Sequence, residues 1–176
     1  MKPARRHWIL GAGVAAAAAS AGVGWSVWRE RKTSAAEAQL WDLSFETPGG
    51  APLAMASLRS KPLLINFWAT WCPPCVREMP AIDRFARDVA GRGWRVLGLA
   101  ADNREPVREF LAQRPVSYLI ALTGFAGIEL SKSLGNAAGG LPFTLLIGQD
   151  GRVRQQHSGE INHEQLTAWA AAPGAT

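Results

Sequence analysis

From about residue 60 onward, short apolar runs alternate with longer stretches in which apolar residues recur every three or four positions. The runs LLINFW (63–68) and WRVLGLAA (94–101) are almost unbroken, as expected of strands covered on both faces. SYLIAL (117–122) predicts a third strand. FTLLI (143–147), the turn QDG and RVRQQH (152–157) predict an antiparallel hairpin. Earlier, LWDLSF and PLAMA flank Pro48-Gly49-Gly50 and predict a small N-terminal hairpin.

Helices fill the intervals. After Cys75, the residues Val76, Met79, Ile82, Phe85 and Val89 form one apolar stripe at helical spacing. DNREPVREFLAQR offers Asp102 or Asn103 as a cap, Pro106 in the first turn and Pro115 as a stop. AGIELSKSL runs into Gly135-Asn136, a helix-ending pair. NHEQLTAWAAA opens with Asn162 and Gln165 at capping-box spacing. The resulting order, β-α-β-α-β-α-β-β-α, implies an α/β fold with a mixed sheet and helices on both faces. No internal repeat appears after residue 38, so one domain over 39–176 is expected.

The N-terminus follows a different pattern. Residues 8–28 carry no charge over 21 positions, about 31 Å as a helix, which matches a bilayer core of roughly 30 Å. Trp8 stands at one end, Trp25 and Trp28 at the other, and arginines flank both. Residues 1–28 are therefore read as a single-pass transmembrane anchor and 29–38 as a polar tether. A cleaved signal peptide is the competing reading, with ASA at 19–21 as its small-residue site.

Charge adds to this partition. The whole formal charge of +5 lies in residues 1–32, where six basic side chains face Glu30 alone. The other 144 residues carry 13 basic and 13 acidic side chains. A nucleic-acid binder needs a basic face on its folded domain, so no nucleic-acid partner is expected.

The candidate chemistry sits in FWATWCPPCVREMP (67–80), which contains both cysteines of the chain. A zinc site needs four suitably spaced ligands, and His7, His157 and His163 do not supply them, so no metal is expected. A chain of 176 residues needs no disulfide staple to hold its core. Cys72 falls where strand 63–68 hands over to a helix, and the helix N-terminus favours a thiolate there. Pro73 and Pro74 fit only a first helical turn. Cys75 lies one turn inward, close enough to bridge Cys72. His157 and His163 are read as surface or packing residues.

NFWATWCPPC, Pro80 five residues after Cys75, and GLPFTLLIGQDGRV (140–153) resemble the thioredoxin fold. More narrowly, residues 39–172 resemble the membrane-tethered TlpA/ResA-like thiol–disulfide oxidoreductases, including a β-α segment inserted between 104 and 135. The resemblance implies a redox-active Cys72–Cys75 disulfide, with Cys72 attacking and Cys75 resolving. It implies a cis bond at Pro142, a Leu141 backbone that contacts substrate, and Trp71 on the rim; Trp68 is assigned to rim or core and Thr144 to packing. No cofactor is expected. Glu78 has two readings: a proton-handling acid beside the pair, or a first-turn glutamate that favours the helix dipole. Asn66 stands where thioredoxins place a buried aspartate, and an amide cannot titrate.

The same resemblance implies a protein-disulfide reductase on the periplasmic side of a bacterial inner membrane. Its partners would be exported proteins bearing disulfides or thiols, apocytochrome c among the candidates, and a membrane electron donor. If the leader is cleaved, the protein would be soluble in the periplasm. Strong oxidants of the family carry Pro-His between the cysteines. Pro73-Pro74 here argues for a reductant, with an oxidase or isomerase as the alternative. A non-catalytic metal-delivery or chaperone module would need a Met/His/Cys cluster, and Met55 and Met79 have no histidine nearby in the sequence.

Overall fold

The computed structural model describes residues 35–173. The expected anchor at 8–28 lies outside the described residues, and among the described ones no helix is long and apolar enough to cross a membrane. The described chain opens with helix α1, seen over residues 35–40. Four of these residues fall in the stretch read as a tether. Ala36, Leu40 and Trp41 are buried in the core, and the Glu37 carboxylate accepts a hydrogen bond from the Val153 N–H at 3.2 Å. Packing thus begins a few residues before residue 39.

The strands are β1 (Ser44–Glu46), β2 (Pro52–Ala54), β3 (Leu63–Trp68), β4 (Arg95–Ala100), β5 (Leu119–Leu122), β6 (Phe143–Ile147) and β7 (Val153–Ser158). Helices α2 (Pro73–Val89), α3 (Arg104–Gln113), α4 (Ala126–Ser133) and α5 (His163–Ala171) complete the set. Among the described residues, the strands form one seven-stranded sheet in the order β2-β1-β5-β4-β3-β6-β7. β3, β4 and β5 run parallel; β6, β7 and the N-terminal hairpin pair antiparallel. The sheet is mixed, as the element order implied.

Strand β3 lies at the centre and every one of its six residues is buried. Its side chains alternate between faces. Leu63, Ile65 and Phe67 join one core with Leu97, Leu99, Leu134 and Phe143. Leu64 and Trp68 join the other, with Met79, Ile82, Phe85 and Ile161. Asn66 shares the second face by this alternation, so a polar side chain is placed beneath α2. Both cysteines belong to this same layer. Gly98 of β4 pairs with Asn66, and a Cβ there would come within 2.6 Å of Ile120 and 3.1 Å of the Trp68 indole nitrogen. The missing side chain makes room for Trp68.

The caps follow the sequence with one exception. Asn162 and Gln165 form the reciprocal capping box of α5. At α3, Asn103 holds the cap position without a side-chain bond, and its own N–H donates to the Asp102 carboxylate at 2.7 Å.

Candidate active site

Helix α2 starts at the site because Pro73 and Pro74 occupy its first two positions, where their missing N–H groups would have no partner. Cys72 is the N-cap: its sulfur accepts from the Cys75 N–H at 3.3 Å. The two cysteines are joined as a disulfide, with Cα atoms 5.3 Å apart. Cys75 is fully buried, whereas Cys72 keeps a sliver of exposure, so it is the sulfur that solvent reaches. The helix terminus stabilises negative charge at Cys72, whose sulfur is also held by a backbone donor.

Glu78 departs from the dipole reading. The first turn of α2 contains no acid. Glu78 lies on the buried stripe with Cys75, Met79, Ile82, Phe85 and Val89, and only 1% of its surface is exposed. The expected stripe member Val76 is half-buried at its edge. Both oxygens of Glu78 are engaged: Oε1 accepts from Asn66 Nδ2 at 2.7 Å, and Oε2 from the Ile161 N–H at 2.8 Å. Burial pushes this carboxyl up to about 7; the bonds from Ile161 and Asn66 pull against that rise, and the nearby Glu160 charge adds to it. A group that changes charge near neutral pH therefore stands one helical turn from the buried sulfur.

Asn66 uses its second amide hydrogen on Thr144 Oγ1 at 3.0 Å. Its own Oδ1 has no partner among the described residues. Thr144 thus does more than pack: with Asn66 it fixes the position of Glu78. On the opposite side, Leu141–Pro142 is a cis peptide, as the resemblance implied. Among the described residues, no hydrogen bond engages the Leu141 amide or carbonyl, and Gly159 N–H closes on the Pro142 carbonyl at 2.9 Å.

Trp71 stands in the open and is 53% exposed, while Trp68 is fully buried against Phe110 with ring centres 5.4 Å apart. Of the two, only Trp71 can form a rim. A groove of about 400 Å³ beside it is lined by Pro73, Val76, Phe110 and Arg114. Arg77 on the outer face of α2 pairs with Glu160 at 2.8 Å. His157 hydrogen-bonds the Glu160 carbonyl and His163 the Asp88 carboxylate, away from the sulfurs in both cases.

Sequence reasoning missed two features. Asp102 is one of two candidate caps in the sequence; Asn103 takes that position, and the Asp102 carboxylate instead accepts from the Thr70 N–H at 3.1 Å and the Thr70 hydroxyl, bracing the loop that leads into Cys72. Its position just after strand run 94–101 was the available signal, because parallel neighbours end at the same edge. Ile161 had no signal, since its contribution is a backbone N–H.

Comparisons with known proteins bear on this arrangement. The family model described as Redoxin matches residues 35–170. Thiol-disulfide oxidoreductase ResA of Bacillus cereus is 31% identical over 122 residues, spanning 68% of each chain. Thiol:disulfide interchange protein DsbE of Tatumella citrea is 34% identical over 125 residues, 69% of this chain and 62% of its own. A thioredoxin-related protein from Neisseria meningitidis serogroup B, solved by crystallography, superposes with a TM-score of 0.63 at 34% identity. It covers 72% of this chain and 94% of that one. A secreted Mycobacterium tuberculosis disulfide oxidoreductase shares the fold with a TM-score of 0.64 at 20% identity, over 76% of this chain and 97% of that one.

Proposed function

This chain belongs to the Redoxin family and is a thiol–disulfide oxidoreductase of the TlpA/ResA-like kind; from that premise we propose that it works as a reductant, with Cys72 and Cys75 as its exchanging thiols. The observation that carries the direction is the environment of the pair. Pro73-Pro74 place no imidazole beside Cys72, and Glu78 is buried on the same helix. An ionised carboxylate there opposes a thiolate, which disfavours the reduced pair and makes it the better electron donor.

In the proposed cycle the Cys72 thiolate attacks one sulfur of a partner disulfide. That S–S bond breaks, and the departing partner sulfur leaves as a thiolate and takes a proton. Cys75 passes its proton to Glu78 and attacks the Cys72 sulfur. The second partner sulfur leaves, and Cys72–Cys75 is oxidised by the two electrons the partner gains. Glu78, with its carboxyl near 7, accepts a proton at neutral pH and returns it when the pair is re-reduced. The exposed Trp71 and the unengaged Leu141 backbone serve as the partner's first contacts.

Residues 1–28 are proposed to anchor the chain, the residues from 29 to about 35 to tether it, and those from about 36 onward, where packing begins, to form the catalytic domain on the outer side of a bacterial inner membrane. The length and aromatic flanks of residues 8–28 support this placement. Exported proteins are then the partners, apocytochrome c among them, and a membrane electron donor must renew the dithiol because that compartment is oxidising. Insulin-disulfide reduction tests the reading: Cys72→Ser abolishes it, and a variant that still turns over would refute the assignment. A Cys72–Cys75 potential above about −150 mV would identify an oxidase instead.

A further inference from the structure

Among the described residues, three large apolar side chains are conspicuously exposed: Trp71 at 53%, Phe125 at 58% and Leu119 at 40%. The sheet register sorts them. Trp68 pairs with Ala100, and Ala100 with Leu122, so the three parallel strands end on one row. The ladder continues past that row through Ala101 N–H to the Trp68 carbonyl at 2.8 Å and Thr123 N–H to the Ala100 carbonyl at 2.9 Å. Trp71 lies three residues beyond Trp68, and Phe125 three beyond Leu122. Both aromatics therefore stand at the edge that carries Cys72. Leu119, at the start of β5, stands at the opposite edge.

The ends of β3 and β5, from which Trp71 and Phe125 each follow by three residues, are two interstrand spacings apart, about 10 Å. Between them lies the turn after β4, where Asp102 is buried with its carboxylate turned to Thr70 and Asn103, leaving neutral Asn103 exposed. The short α4 begins immediately after Phe125, its N-cap residue. The ladder bond at Thr123 and a second one from the Thr123 hydroxyl to the Ala100 carbonyl at 2.9 Å hold the base of this turn. A partner chain that reaches Cys72 and runs on in extended form along this edge passes over Asn103 to Phe125.

We infer that Phe125 is a second docking point for the partner, receiving an apolar side chain about three residues from the partner's reacting cysteine. This deepens the proposed function and rests on it. The spacing follows from the 10 Å separation, because an extended chain advances about 3.3 Å per residue. The occupant is thus an extended, disulfide-bearing segment of protein with one apolar residue at that offset. Phe125 is a specificity-determining residue and takes no part in the exchange itself.

The test uses the full chain, pre-reduced, and symmetric disulfide dimers of a synthetic 13-residue Ser/Gly peptide with a central cysteine. A single leucine is moved from two to five residues away on either side, and second-order rates are read from tryptophan fluorescence. The rate is expected to peak with leucine about three residues from the cysteine. Phe125→Ser should lower that peak roughly tenfold and flatten the scan, Phe125→Leu should retain most of it, and Leu119→Ser should leave it unchanged. Reduction of dithiobis-nitrobenzoate, which is too small to reach Phe125, should proceed equally in all variants and reports an intact dithiol, while matching near-ultraviolet circular dichroism reports that each is folded. A flat scan in the unsubstituted chain, or an unaltered peak in Phe125→Ser, overturns the inference while leaving the reductase reading intact. If the pre-reduced, unsubstituted chain reduces none of the peptide disulfides, both fall together.

Discussion

Replacing Glu78 by glutamine removes one charge from beneath α2 while nearly preserving shape. The amide oxygen can keep the Ile161 N–H, and the new amide nitrogen can donate to Asn66 Oδ1, which otherwise lacks a partner, once the Asn66 side chain rotates. What changes is the cost of ionisation. Raising this carboxyl from 4.5 to about 7 disfavours the folded, ionised form by about 3 kcal/mol, at about 1.4 kcal/mol per pH unit. Below pH 4.5 Glu78 is protonated in both folded and unfolded chains, so the penalty is absent. Between 4.5 and about 7 the unfolded chain releases the proton while the folded chain retains it, and stability falls as pH rises; above 7 the loss is constant. Glu78→Gln should therefore exceed the unsubstituted protein's stability by less than about 1 kcal/mol near pH 5 and by up to about 3 kcal/mol at pH 8. Urea unfolding of the full oxidised chain, followed by tryptophan fluorescence at intervals from pH 5 to 8, measures the difference. A stability difference that stays flat across this range would refute the reasoning, because it would mean that Glu78 ionises like a hydrated carboxyl.

Other substitutions probe the rest of the site. If Glu78 takes the Cys75 proton, Glu78→Gln should also shift the pH profile of thiol alkylation; an unmoved profile would leave it without a proton-transfer role. Glu160→Gln removes a like charge, so the Glu78 carboxyl should titrate lower by less than about one pH unit, as carboxyl carbon NMR would show. Asp102→Ala strips acceptors from Thr70 and Asn103 and should cost about 2–4 kcal/mol in urea unfolding; an unchanged midpoint would mean the loop before Cys72 is braced elsewhere. Phe85→Ala empties a fully buried position packed edge-on against Trp94 at 5.8 Å, with an expected loss of about 3–5 kcal/mol by the same measurement.

The order of elements in the domain was legible because each is announced by a local pattern. LLINFW and FTLLI are long enough and apolar enough to be central strands, and they occupy β3 and β6 at their expected bounds. Asn162 and Gln165 carry their capping chemistry in their spacing. Cys72 at a helix start was equally readable, since Pro73-Pro74 tolerate few other settings. By contrast, the role of Glu78 depends on which side of a helix faces a sheet and on what lies beneath it. A glutamate in an apolar stripe looks ordinary until Asn66, itself held by Thr144, and the Ile161 N–H converge on it from a strand and a loop 12 and 83 residues away in sequence. Asp102 and Phe125 gain their places in the same way, because only the parallel register of β3, β4 and β5 brings three separate turns to one edge. Hydrophobic period, turn residues and helix starts are short-range properties, so the chain itself determined the elements and the dithiol. The charge state of Glu78 and the approach to Cys72 are set by desolvation and long-range pairing, which exist only once the sheet has formed.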